Sequence, residues 1–271
     1  MALPDDINDK KRALDAARPL PGEVVHALAD WFERELTMAA ARVERVGLTP
    51  AEIERVIEKG AVLRSRPIDD QRLVVNHVDA LRVVARLSYQ PRGVITERSI
   101  LALHGVLFQG IDARAGTYRD GPPDDAEAVR PDAAAEPVPD PAPDPAKLRV
   151  SMSALSGWLR RTEPGPESAV EAHLRVMSVR PFARGNTAVA LLLTNLLLNR
   201  AGYPPVVLDA GSRDAYRDAL ARARATGDKA AFRETMLGLL DRSLDVCLVA
   251  AARGVAQGVG GTPTGHRDHE S

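Results

Sequence analysis

Apolar residues recur at intervals of three and four along most of the chain. The windows in which they do so predict helices over residues 23–46, 50–63, 68–89, 96–109, 149–161, 167–179, 187–201, 212–225 and 229–253. Breakers separate these windows: Gly22, GLTP at 47–50, QPRG at 90–93 and EPGP at 163–166. In LTPAEIERV, Thr49 reads as the N-cap, Pro50 as the first helical position and Glu52 as a first-turn acid. No window alternates as a strand does, so the pattern predicts an all-α fold. The helix at 187–201 differs from the others because it is apolar nearly all round, which suits the centre of a bundle. Thr194 and Asn195 within it need hydrogen-bond partners in the core. Gly202 and Pro204 read as its cap and stop.

Residues 120–147 break the pattern with eight prolines, eight acidic residues and seven alanines. So little apolar surface cannot order a segment, and the stretch reads as a mobile loop inside one domain. The organisation expected is an N-terminal helical extension over 1–48, a domain over 49–255 carrying that loop, and a disordered tail over 256–271. His266 and His269 in the tail read as solvated rather than as metal ligands.

Composition narrows the partners. Aromatic residues make up only 4%, so the core is built from Ala, Val and Leu. The net charge of −1 gives no overall field toward nucleic acid or an anionic membrane. The single Cys247 lies in a helical pattern and reads as a buried thiol, without a disulfide or thiolate metal site. The first twenty residues lack a signal-peptide core, and apolar runs such as Ala188 to Leu193 are too short to span a bilayer. The expectation is a cytoplasmic protein that meets neither membrane nor nucleic acid. Oligomeric state is not set by these features.

The stretch RPFARGNTA at 180–188 resembles the Fic family motif HPF-x-(D/E)-G-N-(G/K)-R. SILALHGVLFQGIDARAGTYR at 99–119 looks like that family's helix followed by its Gly-x-Tyr-Arg element. MSALSGWLRR and SAVEAHLRVMSV resemble the helices before the motif, and NLLLNRAGYPP at 195–205 the helix end after it. The resemblance covers roughly residues 50 to 205 and implies a Fic-type helical bundle around a buried central helix. It also implies a nucleotide-dependent transfer, usually of AMP, in which the motif histidine takes a proton from the target hydroxyl. The motif acid would hold Mg²⁺, and the Gly-Asn backbone and the arginine would hold phosphate oxygens.

The positions that would carry this chemistry are altered. Arg180 stands for the histidine, Arg184 for the acid, and Thr187 and Ala188 for the Gly/Lys and Arg; a further family arginine is Leu191 here. A guanidinium stays protonated, so Arg180 is no general base, and a cation at 184 repels Mg²⁺. The expectation is therefore no required cofactor, no Mg²⁺, and no ordinary AMPylation. The residues that remain suit an anion. Gly185 permits close backbone approach, Asn186 or Thr187 caps the following helix, and Arg180 and Arg184 supply donors matched to phosphate or carboxylate. Arg119 of the Gly-x-Tyr-Arg element is a further anion contact.

For a displaced base the candidates are His173, two turns before Arg180, and His104, mid-helix in ILALHGVLF, each with a structural histidine as the plainer alternative. The family's inhibitory motif (S/T)-x-x-x-E-(G/N) maps onto SRPIDD, placing Asp69 at the glutamate's position. Asp69 then either meets Arg180 or Arg184, serves as the base, or only decorates a helix's first turn. Prolines at 137, 139, 141, 143 and 145 remove alternate backbone donors from the region that forms the family's target-gripping hairpin, which argues against a protein target. Two readings follow. One is a divergent enzyme performing a transfer or elimination on a phosphorylated or carboxylated small molecule, a nucleotide among them. The other is a catalytically inactive relative that binds a nucleotide or a partner protein in a regulatory role.

Overall fold

The computed structural model describes residues 3–91, 95–123 and 144–259, with side chains through residue 254. These residues form ten α-helices and no strand, in agreement with the all-α expectation. In chain order they are α1 (Leu3–Ala16), α2 (Gly22–Val43), α3 (Pro50–Lys59), α4 (Ile68–Ser88), α5 (Glu97–Leu107), α6 (Pro145–Leu159), α7 (Pro166–Val179), α8 (Asn186–Arg200), α9 (Arg213–Thr226) and α10 (Ala230–Val259). No helix among the described residues is long and apolar enough to cross a membrane.

The bundle is organised around α8. Every residue from Asn186 to Leu198 is buried, and α7, α4, α5 and α2 all pack on it. Burying a leucine contributes roughly 1.5–3 kcal/mol relative to leaving it exposed, and Leu192, Leu193 and Leu196 to Leu198 are all sealed from water. The two polar residues inside the helix find partners. Asn195 takes the Val206 N–H at 2.8 Å and donates to the Val206 carbonyl at 3.3 Å, while Thr194 donates to the Ala190 carbonyl at 2.8 Å.

Several boundaries differ from the pattern for identifiable reasons. Helix α1 escaped it because only Ile7 and Leu14 of its charged sequence are buried, and its support is the face of α10. Helix α2 stops at Val43, before a left-handed Arg45 (φ 56°), and α3 stops at Lys59, before a left-handed Gly60. Helix α6 starts at Pro145 rather than 149, with Asp144 capping the Ala146 N–H at 2.8 Å. Pro145 is thus a first helical residue and not part of an irregular loop. Helix α10 runs to Val259, past the expected end at 253 and into the expected tail. The rest of the acidic proline segment, residues 124–143, lies outside the described residues, as do 260–271 with His266 and His269.

The Thr49 start signal forms a full capping box, the Thr49 hydroxyl accepting the Glu52 N–H and the Glu52 carboxylate accepting the Thr49 N–H at 2.8 Å. Arg66 holds the same carboxylate at 2.8 Å and pulls its pKa down to about 2. This fixes α3 over a small second apolar cluster that includes Leu48, Ile53 and Val74.

Candidate functional site

The loop between α7 and α8 begins and ends with left-handed residues. Arg180 takes φ 43° and ψ 69°, and Gly185 takes φ 77° and ψ 12°. A left-handed conformation costs a non-glycine residue roughly 1–2 kcal/mol, so the surroundings must hold Arg180 there. Three clamps do so. The Arg119 backbone N–H donates to the Pro181 carbonyl at 2.9 Å, and its Nε donates to the Arg180 carbonyl at 2.8 Å. The Asn186 amide closes on Phe182 from both sides, accepting its N–H at 3.0 Å and donating to its carbonyl at 2.9 Å.

The third clamp is His104, whose ring stacks on Phe182 with centroids 3.8 Å apart and planes 3° apart. Its Nδ1 accepts the Gly116 N–H at 2.9 Å, which leaves the ring proton on Nε2 to donate to the Arg184 carbonyl at 3.3 Å. Burial lowers its pKa to about 4, so the imidazole is neutral and committed at both nitrogens.

Gly185 is required for a steric reason as well as a conformational one. A Cβ there would stand 2.2 Å from Cε2 of Phe108. The Phe108 ring also carries Arg184, whose guanidinium lies 4.9 Å from the ring centroid. The other side of Arg184 meets an acid, with Nη2 3.8 Å from Oε2 of Glu44. The Arg184 side chain is 42% exposed and that of Glu44 only 4%.

The loop thus brings together Arg180, Arg184, Gly185, Asn186, Thr187 and Arg119, but in different roles. Arg184 reaches solvent, whereas Arg180 is 4% exposed. The guanidinium of Arg119 serves backbone carbonyls, Gly121 at 2.7 Å in addition to Arg180. The expected side-chain cap of α8 is not formed. Gly185 occupies the N-cap, Asn186 turns back to Phe182, and the Thr187 hydroxyl donates to the Met177 sulfur at 3.7 Å.

Two candidate bases lie elsewhere. His173 is fully buried on α7 between the Thr194 hydroxyl at 3.1 Å and the Tyr216 hydroxyl at 2.8 Å, and burial takes its pKa down to about 3. Asp69 is paired with Arg72 one turn along α4, at 3.3 Å, in the first-turn position. The acid beside the loop arginine is Glu44 instead.

Glu44 and Phe108 were not singled out by the sequence. A signal for Glu44 exists in Ala40-Ala41-Arg42-Val43-Glu44-Arg45, where the glutamate of the (S/T)-x-x-x-E-(G/N) pattern is present without its flanking residues. The left-handed Arg45 occupies the position where that pattern has Gly or Asn, the residues that tolerate this conformation. Phe108 caps α5 one turn after His104, which puts both rings on the side that meets the loop.

Residues 94–198 match the Fic/DOC family. Among curated proteins, the protein adenylyltransferase Fic of Culex quinquefasciatus is 25% identical over 250 residues, 90% of this chain and 47% of that protein. The protein of the same name from Nematostella vectensis is 27% identical over 213 residues, 77% of this chain and 47% of its own length. The chain therefore spans about half the length of these relatives. Among solved structures, a Fic domain containing signaling protein from Bacteroides thetaiotaomicron superposes with a TM-score of 0.77 at 21% identity, over 92% of this chain and 97% of that one. Fic-1 from C. elegans superposes with a TM-score of 0.77 at 22% identity, over 93% and 73%. At these identities the likeness to solved structures concerns the fold.

Proposed function

Residues 94–198 belong to the Fic/DOC family, and from that premise we propose that the α7–α8 loop is a metal-independent site for a phosphate- or carboxylate-bearing small molecule, with a nucleotide as the foremost ligand. The observation that carries this reading is the solvent-reaching guanidinium of Arg184, fixed over Phe108 beside the N-terminus of a buried helix. A helix N-terminus and a bidentate cation both favour anions. The nucleotide follows from the adenylyltransferase names of the curated relatives.

The residues of the loop do not fit a divalent cation. Arg184 stands where the family motif has its acid, the Asn186 carbonyl oxygen is taken by the Phe182 N–H, and the Glu44 carboxylate faces a guanidinium. A guanidinium at 180 stays protonated, and His104 and His173 are committed to the core. The favoured role is binding, with histidine-dependent AMP transfer lost. The Glu44 carboxylate supports a second reading, a divergent transfer or elimination in which it takes the proton.

Calorimetric titration of ATP and pyrophosphate in EDTA or in Mg²⁺ tests the site. Binding is expected in EDTA and is weakened at least tenfold, on the order of 1.4 kcal/mol, by Arg184→Ala. Binding that requires Mg²⁺, or that ignores the substitution, contradicts the proposal. Product formation detected by mass spectrometry, and lost in Glu44→Ala while binding persists, selects the second reading.

A further inference from the structure

A cavity of about 500 Å³ opens at the start of α5, lined by Thr96, Glu97, Arg98 and Leu101. Its carboxylate is unusually well fixed. The Glu97 backbone N–H donates to the Ser156 hydroxyl at 3.1 Å, and its Oε1 accepts the Tyr118 phenol at 2.5 Å. Hydrogen bonds to a carboxylate are short and strong at that distance, so Tyr118 sets the direction of the group. No ion pair involving Glu97 occurs among the described residues. Tyr118 in turn connects this carboxylate to the α7–α8 loop. The Tyr118 ring lies 6.2 Å from that of Phe182, and the next residue, Arg119, clamps the loop backbone.

We propose that this cavity is a hydroxyl-binding subsite, in which the Tyr118-anchored carboxylate of Glu97 accepts a hydrogen bond from a sugar hydroxyl of the ligand. A carboxylate held by one oxygen retains lone pairs for a second donor. Leu101 offers the apolar wall that a ring's C–H face needs, and Arg98 and Thr96 bring further donors to the rim. The ligand class is a polyol or sugar ring, and the subsite lies at the opposite end of α5 from the anion site proposed above, roughly 16 Å of helix away. The inference goes beyond that reading, and the cavity is tested separately from it.

The probes are D-ribose, ribose 5-phosphate and inorganic phosphate, followed by amide NMR of residues 96–101 and by calorimetry. Ribose and ribose 5-phosphate are expected to shift the amides of Thr96, Glu97 and Arg98, whereas phosphate is not. Glu97→Ala abolishes those shifts, Glu97→Gln restores part of them, and Tyr118→Phe weakens them with the rest of the spectrum preserved. Ribose 5-phosphate should lose affinity on the order of tenfold in Glu97→Ala, whereas phosphate should not. If phosphate alone fails to bind, the anion reading falls while ribose still reports on the cavity. No sugar-dependent shift at residues 96–101, or a shift that survives Glu97→Ala, overturns the subsite.

Discussion

Arg184 Nη2 stands 3.8 Å from Oε2 of Glu44, tying the end of α2 to the loop that precedes the central helix. An ion pair with one exposed partner is worth about 0.5–1 kcal/mol. A ligand anion at Arg184 competes with Glu44 for the same guanidinium. Glu44→Gln should therefore tighten pyrophosphate binding about two- to fivefold. Calorimetry on the two proteins at equal ionic strength checks this. Unchanged or weaker binding would show that Glu44 does not compete.

Gly185→Ala places a methyl group 2.2 Å from the Phe108 ring at a left-handed position. Overpacking and backbone strain together should cost about 3 kcal/mol. Denaturant midpoints measure it. Phe108→Leu in the same chain should recover part of the loss, because a branched side chain can vacate the space. Strictly additive losses would place the strain elsewhere.

Asn186→Ala removes both clamps on Phe182 and leaves a buried N–H and a buried carbonyl without those bonds. The cost should be about 3 kcal/mol. Hydrogen exchange at Phe182 should rise with it. A change under about 0.5 kcal/mol would mean that water replaces the amide.

Burial lowers the pKa of His77 and His104 to about 4 and that of His173 to about 3. In the unfolded chain these groups take up a proton near pH 6.5, so the unfolded state binds more protons below that value and stability falls with pH. The contribution is complete above about 6.5. It is lost progressively as pH falls toward the folded values, by about 2 kcal/mol per histidine at pH 5. Urea midpoints at pH 7 and pH 5 test it, and equal midpoints would contradict neutral buried histidines.

Periodicity by itself determined the helical class and the central position of α8, because a segment apolar on every side has no solvent face to offer. It also determined the start of α3, where Thr49, Pro50 and Glu52 act within one turn. Pro145 and Asp144 carried an equally local start signal, hidden inside an acidic proline run. Helix α1 was not legible in this way, since its few apolar residues are scattered among charged ones and the two it buries, Ile7 and Leu14, are covered only when α10 is laid against them.

The same division runs through the site. That positions 180 and 184 are guanidinium cations, neither a titratable base nor an acid, is chemistry written in single residues and needs no fold to be read. Which arginine meets water, and which acid meets that arginine, depends on contacts between residues far apart in sequence. Glu44 reaches Arg184 only because α2 packs beside α8, and Glu97 is aimed only because Tyr118 returns across α5. Spacing fixes what lies on one helix face, and tertiary packing alone decides which faces meet.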